Sequence, residues 1–189
     1  MVRTCAVLTG CNMVYLGIFN RVWAMPHRWT FTIPPIAELV EKYVGDGIGW
    51  IDPFAGMNSP AEFTNDLNPL SLSDSHLDAI DYATGLTGKY KGILFDPPYS
   101  LEQCKRSYEF VGRKFTMRDG QICNRWTELK TTLADKLCAN GIVISFGWNS
   151  EGFGKKRGFV IEEILLVAHG SGHNDTICTV ERKIQSSFS

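Results

Sequence analysis

Four consecutive residues, Asp96-Pro97-Pro98-Tyr99, bring together a carboxylate, a stiff turn and an aromatic ring. Two adjacent prolines remove two backbone donors and fix φ, and each disfavours helical conformation in the residue before it. The carbonyl groups of Asp96 and Pro97 therefore lack local helical partners and can face a cleft. Oxygen acceptors beside a ring suit a planar aromatic amine, because the oxygens accept its N–H groups while the ring stacks on its face. The alternative is a purely structural turn with a capping acid.

Three aspartates lie at the ends of predicted strands. The apolar run 92–95 is typical of a buried parallel strand, and the other two strands are predicted over residues 49–52 and 61–66. Ligands of α/β sheets bind at the carboxyl ends of the strands. We therefore expect functional side chains at three positions: Asp52, Asp66 and Asp96.

The remaining pattern alternates helices and strands. Helical spacing predicts helices over residues 36–43, 72–83 and 126–139, and strand-like runs cover 142–146, 159–168 and 176–183. The last two runs are joined by a turn-rich segment and form a predicted hairpin. This order predicts an α/β fold with a mostly parallel sheet.

Composition excludes several classes of protein. The 189 residues include 19 basic and 20 acidic side chains, a net charge of −1, so a nucleic-acid surface must be local. No apolar stretch approaches the roughly 20 residues of a membrane span, so no membrane partner is expected. Six cysteines without a CxxC pair predict reduced thiols in a cytoplasmic protein, and no metal site is expected.

Asp96-Pro97-Pro98-Tyr99 after a strand resembles the catalytic motif of the S-adenosylmethionine-dependent amino-methyltransferases, above all the adenine-N6 enzymes that act on DNA. Further segments follow in the order of that family: 31–36 (FTIPPI), 52–56 (DPFAG), 64–69 (TNDLNP) and 76–79 (HLDA). The resemblance covers about residues 28–183. It implies a compact, phage-like DNA adenine-N6 methyltransferase with a Rossmann-like, mostly parallel seven-stranded sheet and a terminal antiparallel hairpin.

The resemblance also implies the cofactor, S-adenosyl-L-methionine, and the residues that hold it. Asp66 would accept the ribose hydroxyls, Gly56 would approach the methionine portion, and Asp78 would accept from the adenine amino group. Their structural alternatives are a helix N-cap, a turn glycine and a solvated helix acid. The implied cofactor residues are Phe31, Pro34, Asp52, Pro53, Phe54, Ala55, Gly56, Asp66, Asp78 and Ala79, and the implied catalytic residues are Asp96, Pro97, Pro98 and Tyr99.

The segment after the catalytic turn is basic. Residues 102–125 contain six basic and three acidic side chains, a net charge of +3, with three aromatic residues interleaved. This pattern suits a nucleic-acid backbone and unstacked bases, and the alternative is a solvated loop with core aromatics. The predicted DNA contacts are Lys105, Arg106, Arg113, Lys114 and Arg118.

We divide the chain into an N-terminal extension, residues 1–27, and one methyltransferase domain, residues 28–189, with a target-side insertion at about 100–125. Larger DNA enzymes of the family carry a sizeable target-recognition domain, which we do not expect in this chain. Recognition is then either short or completed by a second copy or a partner protein.

Two other functions stay open at the level of sequence. RNA adenine-N6 and guanine-N2 methyltransferases share the same type of turn. A non-catalytic methyltransferase-like nucleic-acid-binding module would show decay of the turn or of the cofactor glycine, and both are intact here.

Overall fold

A twisted central sheet organises the chain. The computed structural model describes residues 3–4, 17–116, 122–170 and 172–184. The strands are β1 (Arg3–Thr4), β2 (Ile18–Trp23), β3 (Trp50–Asp52), β4 (Phe63–Thr64), β5 (Tyr90–Phe95), β6 (Leu137–Gly147), β7 (Phe159–Ala168) and β8 (Thr176–Lys183). They form one eight-stranded sheet of order β1-β2-β7-β8-β6-β5-β3-β4.

Most neighbouring strands run parallel. The pairs β2–β7, β3–β4, β3–β5 and β5–β6 are parallel, and β8 is antiparallel to both β6 and β7. The predicted Rossmann-like, mostly parallel sheet with a terminal hairpin is therefore confirmed. Seven of its strands lie within residues 18–183, and β1 pairs antiparallel with β2 as the eighth.

Helices cover both faces of the sheet: α1 (Pro34–Val44), α2 (Ala79–Gly85), α3 (Leu101–Phe110) and α4 (Ile122–Lys136). One core cluster joins Ile36 and Leu39 of α1 to the sheet, and the other joins Leu129 and Leu133 of α4 to Ile93. Because β5 contributes to both clusters, it reads as a continuous apolar run. No helix among the described residues is long and apolar enough to cross a bilayer.

The predicted helix 72–83 is wrong in its first half. The Leu77 amide donates to the side-chain oxygen of Asn65 at 2.9 Å, and the Ser75 amide donates to the Thr64 carbonyl at 3.3 Å. These bonds hold residues 75–77 beside β4, so the helix begins only at Ala79. The predicted strand 61–66 is likewise shorter, with β4 restricted to Phe63–Thr64 and followed by an isolated Asn65–Ser75 bridge.

The predicted helix 126–139 also has different bounds. Helix α4 covers Ile122–Lys136, and β6 follows directly at Leu137. Asn140, the residue after the predicted helix, has a φ of 61° inside β6, where the pairing with β5 shifts register. The left-handed residue thus accommodates a β-bulge instead of a helix end.

Part of the predicted N-terminal extension belongs to the sheet, because Ile18–Trp23 pairs along its length with residues 163–168 of β7. The division at residue 27 stays a prediction. Of the predicted site residues, Arg118 lies outside the described residues.

Gly92 allows β3 and β5 to approach each other. A Cβ added there would lie 2.4 Å from ring atoms of Trp50, which is 4% exposed and cannot move aside. We expect Gly92→Ala to lower the free energy of unfolding by about 1–3 kcal/mol, since overpacking strains a filled core. Urea denaturation measures this loss. Gly85→Ala is the control, because nothing lies within 4 Å of its added Cβ, and an equal loss in both variants would contradict the argument.

Candidate active site

A cavity of about 520 Å³ opens at the carboxyl ends of β3, β4 and β5. This volume is typical of sites for small molecules and cofactors. Its wall combines the loops after the three strands with one face of α3. The predicted residues that line it are Pro53, Phe54, Gly56, Asp66, Asp78, Ala79, Asp96, Pro98 and Arg106.

Asp52, at the end of β3, fixes the conformation of the loop that follows. Its side chain is fully buried, and its carboxylate accepts the Phe54 amide at 2.9 Å and the Ser59 hydroxyl at 2.7 Å. The Phe54 ring packs edge-on against Phe95 and Trp126, with centroid distances of 5.6 and 5.4 Å. Asp52 thus fixes the backbone that presents Pro53 and Phe54 to the cavity.

Gly56 is constrained on two sides. Its φ is 55°, so other residues are strained there, and an added Cβ would lie in ordinary contact with the Trp29 ring, at 3.5 Å. Its amide donates to Asp66 at 2.9 Å, and the second Asp66 oxygen accepts the Asn68 amide at 2.8 Å. Asp66 therefore joins two loops. Because a carboxylate has about four acceptor sites, Asp66 keeps acceptor capacity for a ligand of the cavity that it lines.

Asp78 is the N-cap of α2, and the structural alternative of a solvated helix acid does not hold. One oxygen accepts the Ile80 amide at 3.0 Å, and the other accepts the Tyr108 hydroxyl of α3 at 2.5 Å. The residue is 9% exposed. Ala79 follows it in the cavity wall.

The turn after β5 places a carboxylate beside two aromatic rings. The Tyr99 hydroxyl donates to Asp96, and the Tyr99 ring contacts Trp148 with centroids 5.6 Å apart and planes tilted by 43°. Burial raises the pKa of Asp96, while hydrogen bonds from Tyr99 and Thr30 act in the opposite direction. Burial and the neighbouring Asp96 charge raise the pKa of Tyr99, so Tyr99 stays a hydrogen-bond donor.

The acids at the strand ends interact electrostatically. Burial raises the pKa of Asp52 to about 7, against the hydrogen bonds from Ser59 and Phe54, and the charges of Asp96 and Asp66 add to the increase. An opposite charge nearby favours the ionised form of such groups. The site is therefore electrostatically suited to a bound cation.

Four predicted cofactor residues are not part of the cavity wall. Asp52 and Ala55 are buried beside it, and Phe31 and Pro34 lie elsewhere. The Phe31 ring packs on Phe146 in the core, with centroids 5.1 Å apart, and Pro34 forms the first turn of α1. The same segment reaches the site through Trp29, which lines the cavity, and through Thr30, which hydrogen-bonds Asp96. The dense aromatic composition of residues 29–31 is the only sequence signal for this contact.

The beginning of the predicted basic insertion is a charge-balanced helix. Ser100 and Gln103 form a capping box that starts α3. Lys105 pairs with Glu109 at 3.6 Å and Arg106 pairs with Glu102, both four residues apart. These spacings were visible in the sequence and predict such pairs. Arg113 and Lys114 follow α3 and are exposed.

Comparison with known proteins identifies the fold. No family model and no curated protein matches the chain by sequence. Solved structures do match. TrmN from Thermus thermophilus has 15% identity and a TM-score of 0.52, over 83% of this chain and 50% of that chain. The N-methyltransferase NodS from Bradyrhizobium japonicum WM9 has 8% identity and a TM-score of 0.51, over 79% and 94%.

A third match is NSun6 from Pyrococcus horikoshii, solved with SFG, with 12% identity and a TM-score of 0.50 over 72% of this chain and 48% of that chain. The chain shares the Rossmann-like fold of these structures. The chain spans about half the length of TrmN and NSun6. At these identities the likeness concerns the fold, and the chemistry has to be argued from the cavity.

Neutralising Asp52 tests the electrostatics of the site. A folded pKa of about 7 against an ordinary 3.8 means that only the folded state holds this proton between those values, so the group's contribution to stability falls as pH rises through that range. We expect Asp52→Asn to be more stable than the parent at pH 8 by roughly 1–3 kcal/mol, with the difference shrinking toward pH 5. Thermal and urea unfolding at several pH values measure it.

Asp74→Asn provides a control of opposite sign. Hydrogen bonds from Thr64 lower the pKa of Asp74, so its stabilising contribution is present above pH 4 and disappears in acid. Its replacement should destabilise the protein at pH 8. A parent protein that is more stable than Asp52→Asn at every pH would contradict the assignment.

Proposed function

We propose that this protein transfers a methyl group from S-adenosyl-L-methionine to the exocyclic N6 amine of adenine in DNA. One observation carries the proposal. The Asp96 carboxylate, at the end of β5, opens onto the same cavity as Asp66 and Asp78, which follow β4. A site for an aromatic amine and a site for an adenosine-containing cofactor are therefore contiguous.

The residues of the cavity fit the proposed cofactor. Asp66 offers carboxylate acceptors for vicinal hydroxyls, as acids near second strands do in dinucleotide-binding folds. Asp78 and Ala79 offer an acceptor and a flat contact for a purine, beside the apolar Phe54 and Leu77. When bound, S-adenosylmethionine supplies an activated methyl group on a positively charged sulfur, which suits the negative charge of the neighbouring aspartates. NodS, a structure of similar fold, is named an N-methyltransferase.

Asp96 and the turn after it would position the acceptor amine. The lone pair of an aromatic amine is delocalised into its ring, which makes it a poor nucleophile. The Asp96 carboxylate and the Pro97 carbonyl would accept its N–H groups and favour a tetrahedral nitrogen, while Tyr99 stacks on the base. Transfer would form the nitrogen–carbon bond as the carbon–sulfur bond of the cofactor breaks, and the Asp96 carboxylate would accept the surplus proton of the amine. This chemistry depends chiefly on positioning.

A base within a duplex cannot reach Asp96. The target would have to leave the stack, which costs a few kcal/mol and least in single strands. Trp148 lies against Tyr99 and is 45% exposed, so it offers a further aromatic surface for an extruded base. Because α3 is charge-balanced, we also propose that a second copy or a partner protein contributes to DNA recognition.

Removal of the Asp96 carboxylate tests the catalytic proposal. We expect transfer of labelled methyl from S-adenosylmethionine to unmethylated DNA to fall at least about a hundredfold in Asp96→Ala, because a pre-positioned acceptor is lost. Duplex DNA, the same DNA as single strands, and total RNA are compared, and the modified nucleoside is identified. Binding of S-adenosylhomocysteine should persist in the variant and shows that the cofactor site is folded.

The products separate the candidate functions. N6-methyladenine from DNA, absent with the variant, supports the proposal. Label in RNA alone would establish an RNA methyltransferase instead. Cofactor binding without transfer to any substrate would contradict the proposed activity and favour a binding module, and full activity of Asp96→Ala would refute the role of Asp96.

Asp66 provides an independent test of the cofactor site. We expect Asp66→Asn to weaken binding of S-adenosylhomocysteine by about 10–100-fold, the scale of losing a charge-assisted hydrogen bond. Isothermal titration calorimetry measures it. Asp74→Asn is the control, since Asp74 also accepts hydrogen bonds, from Thr64, without lining the cavity. Unchanged affinity in Asp66→Asn would refute the assignment.

A further inference from the structure

Helix α3 connects the two halves of the proposed site. It starts directly after Tyr99, whose amide donates to the Gln103 side chain at 2.7 Å. Near its other end, the Tyr108 hydroxyl reaches Asp78, 30 residues earlier in the chain. The turn that would hold the target and the segment that would hold the cofactor are thus joined by one helix of ten residues.

One face of α3 covers the cavity. Cys104, Ser107 and Tyr108 lie three and four residues apart, a spacing that places side chains on the same helical face, and all three line the cavity. Cys104 is 3% exposed. The paired side chains Glu102 and Arg106 are mostly exposed. The inner face of α3 therefore lines the cavity, and its ion pairs are exposed, although Arg106 also contributes to the cavity wall.

The contact between Tyr108 and Asp78 determines how Asp78 can act. The phenol donates to one carboxylate oxygen at 2.5 Å, and the Ile80 amide donates to the other at 3.0 Å. With both oxygens engaged, the carboxylate is held in a fixed orientation. The Phe115 ring packs edge-on against the Tyr108 ring, with centroids 5.9 Å apart, and supports its position.

We propose that Tyr108 is a positioning residue of the adenosine subsite: it orients the Asp78 carboxylate toward the cofactor and fastens α3 over it. This proposal rests on the proposed function, because it takes the ligand of the cavity to contain adenosine. It extends that function by linking cofactor binding to the helix that begins at the target-binding turn. Occupation of the adenosine subsite then stabilises α3, and a detached α3 weakens cofactor binding, since such coupling is reciprocal.

Calorimetry of Tyr108→Phe, which removes one hydroxyl, tests the proposal. We expect S-adenosylhomocysteine and adenosine to lose affinity by the same factor, about three- to tenfold, because the effect concerns the adenosine end. Asp78→Asn should lose more. In the double variant, Tyr108→Phe should add little further loss, as expected for two residues that act through one contact.

Tyr82→Phe is the matched control. Tyr82 lies on α2, and its hydroxyl donates to the Phe63 carbonyl at 3.0 Å without lining the cavity. We expect this variant to keep the parent affinity even where it loses stability. Hydrogen exchange gives a second measurement: S-adenosylhomocysteine should protect the α3 amides of the parent and of Tyr82→Phe, and protect them less in Tyr108→Phe.

The outcomes separate this proposal from the proposed function. A parent protein that binds S-adenosylhomocysteine while Tyr108→Phe binds equally well overturns the role of Tyr108 and leaves the function standing. The role of Tyr108 is also overturned if the affinity losses of Tyr108→Phe and Asp78→Asn add up in the double variant. The same holds if Tyr82→Phe loses as much affinity as Tyr108→Phe. A parent that binds neither S-adenosylhomocysteine nor adenosine refutes the proposed function, and this inference with it.

Discussion

The buried amide of Asn65 holds the cavity together. Its nitrogen donates to the carbonyls of Pro53 and Leu77 at 3.2 and 3.0 Å, and its oxygen accepts from Ser75 and Leu77 at 2.8 and 2.9 Å. All four hydrogen-bonding positions of the amide are thus used in a residue that is fully buried. The loop after β3, the end of β4 and the segment before α2 meet at this one side chain, and each of them supplies residues to the cavity wall.

The hydrogen bonds of Asn65 stabilise a site that contains buried acids, and the ionised forms of these acids lower the stability of the folded protein. Burial raises the pKa of Asp52 and of Asp96, so the ionised forms of both are disfavoured in the folded protein. Asp52 fixes the loop that presents Phe54, and the Tyr99 hydroxyl donates a hydrogen bond to Asp96. A cation in the cavity would offset this unfavourable interaction, and binding and local stability are therefore linked at these residues.

The sequence indicated the strand ends, the order of the motifs and the parallel sheet, because each depends on local hydrophobic pattern and turn chemistry. It did not indicate contacts that join distant residues. Asn65 prevents a helix from forming before Ala79, and Tyr108 reaches Asp78 across 30 residues. Phe31 was assigned to the cofactor site by its motif, yet its ring fills the core beside Phe146. The ion pairs of α3, by contrast, follow from the sequence, because their members are four residues apart. The net charge of the segment does not reveal them.

The balanced charge of α3 constrains how a target would be read. Lys105 and Arg106 are each paired with an acid of the same helix, so a phosphate would have to compete with Glu109 or Glu102 for them. With a net charge of −1 over the whole chain, long-range attraction to a polyanion is weak, and nonspecific affinity, which comes from phosphate contacts, is small. Under the proposed function, selectivity would depend on short-range chemistry at Asp96, which lines the cavity, and at the adjacent rings of Tyr99 and Trp148. Such a site would discriminate among bases once they are unpaired, and it would leave the search along the nucleic acid to a surface other than α3.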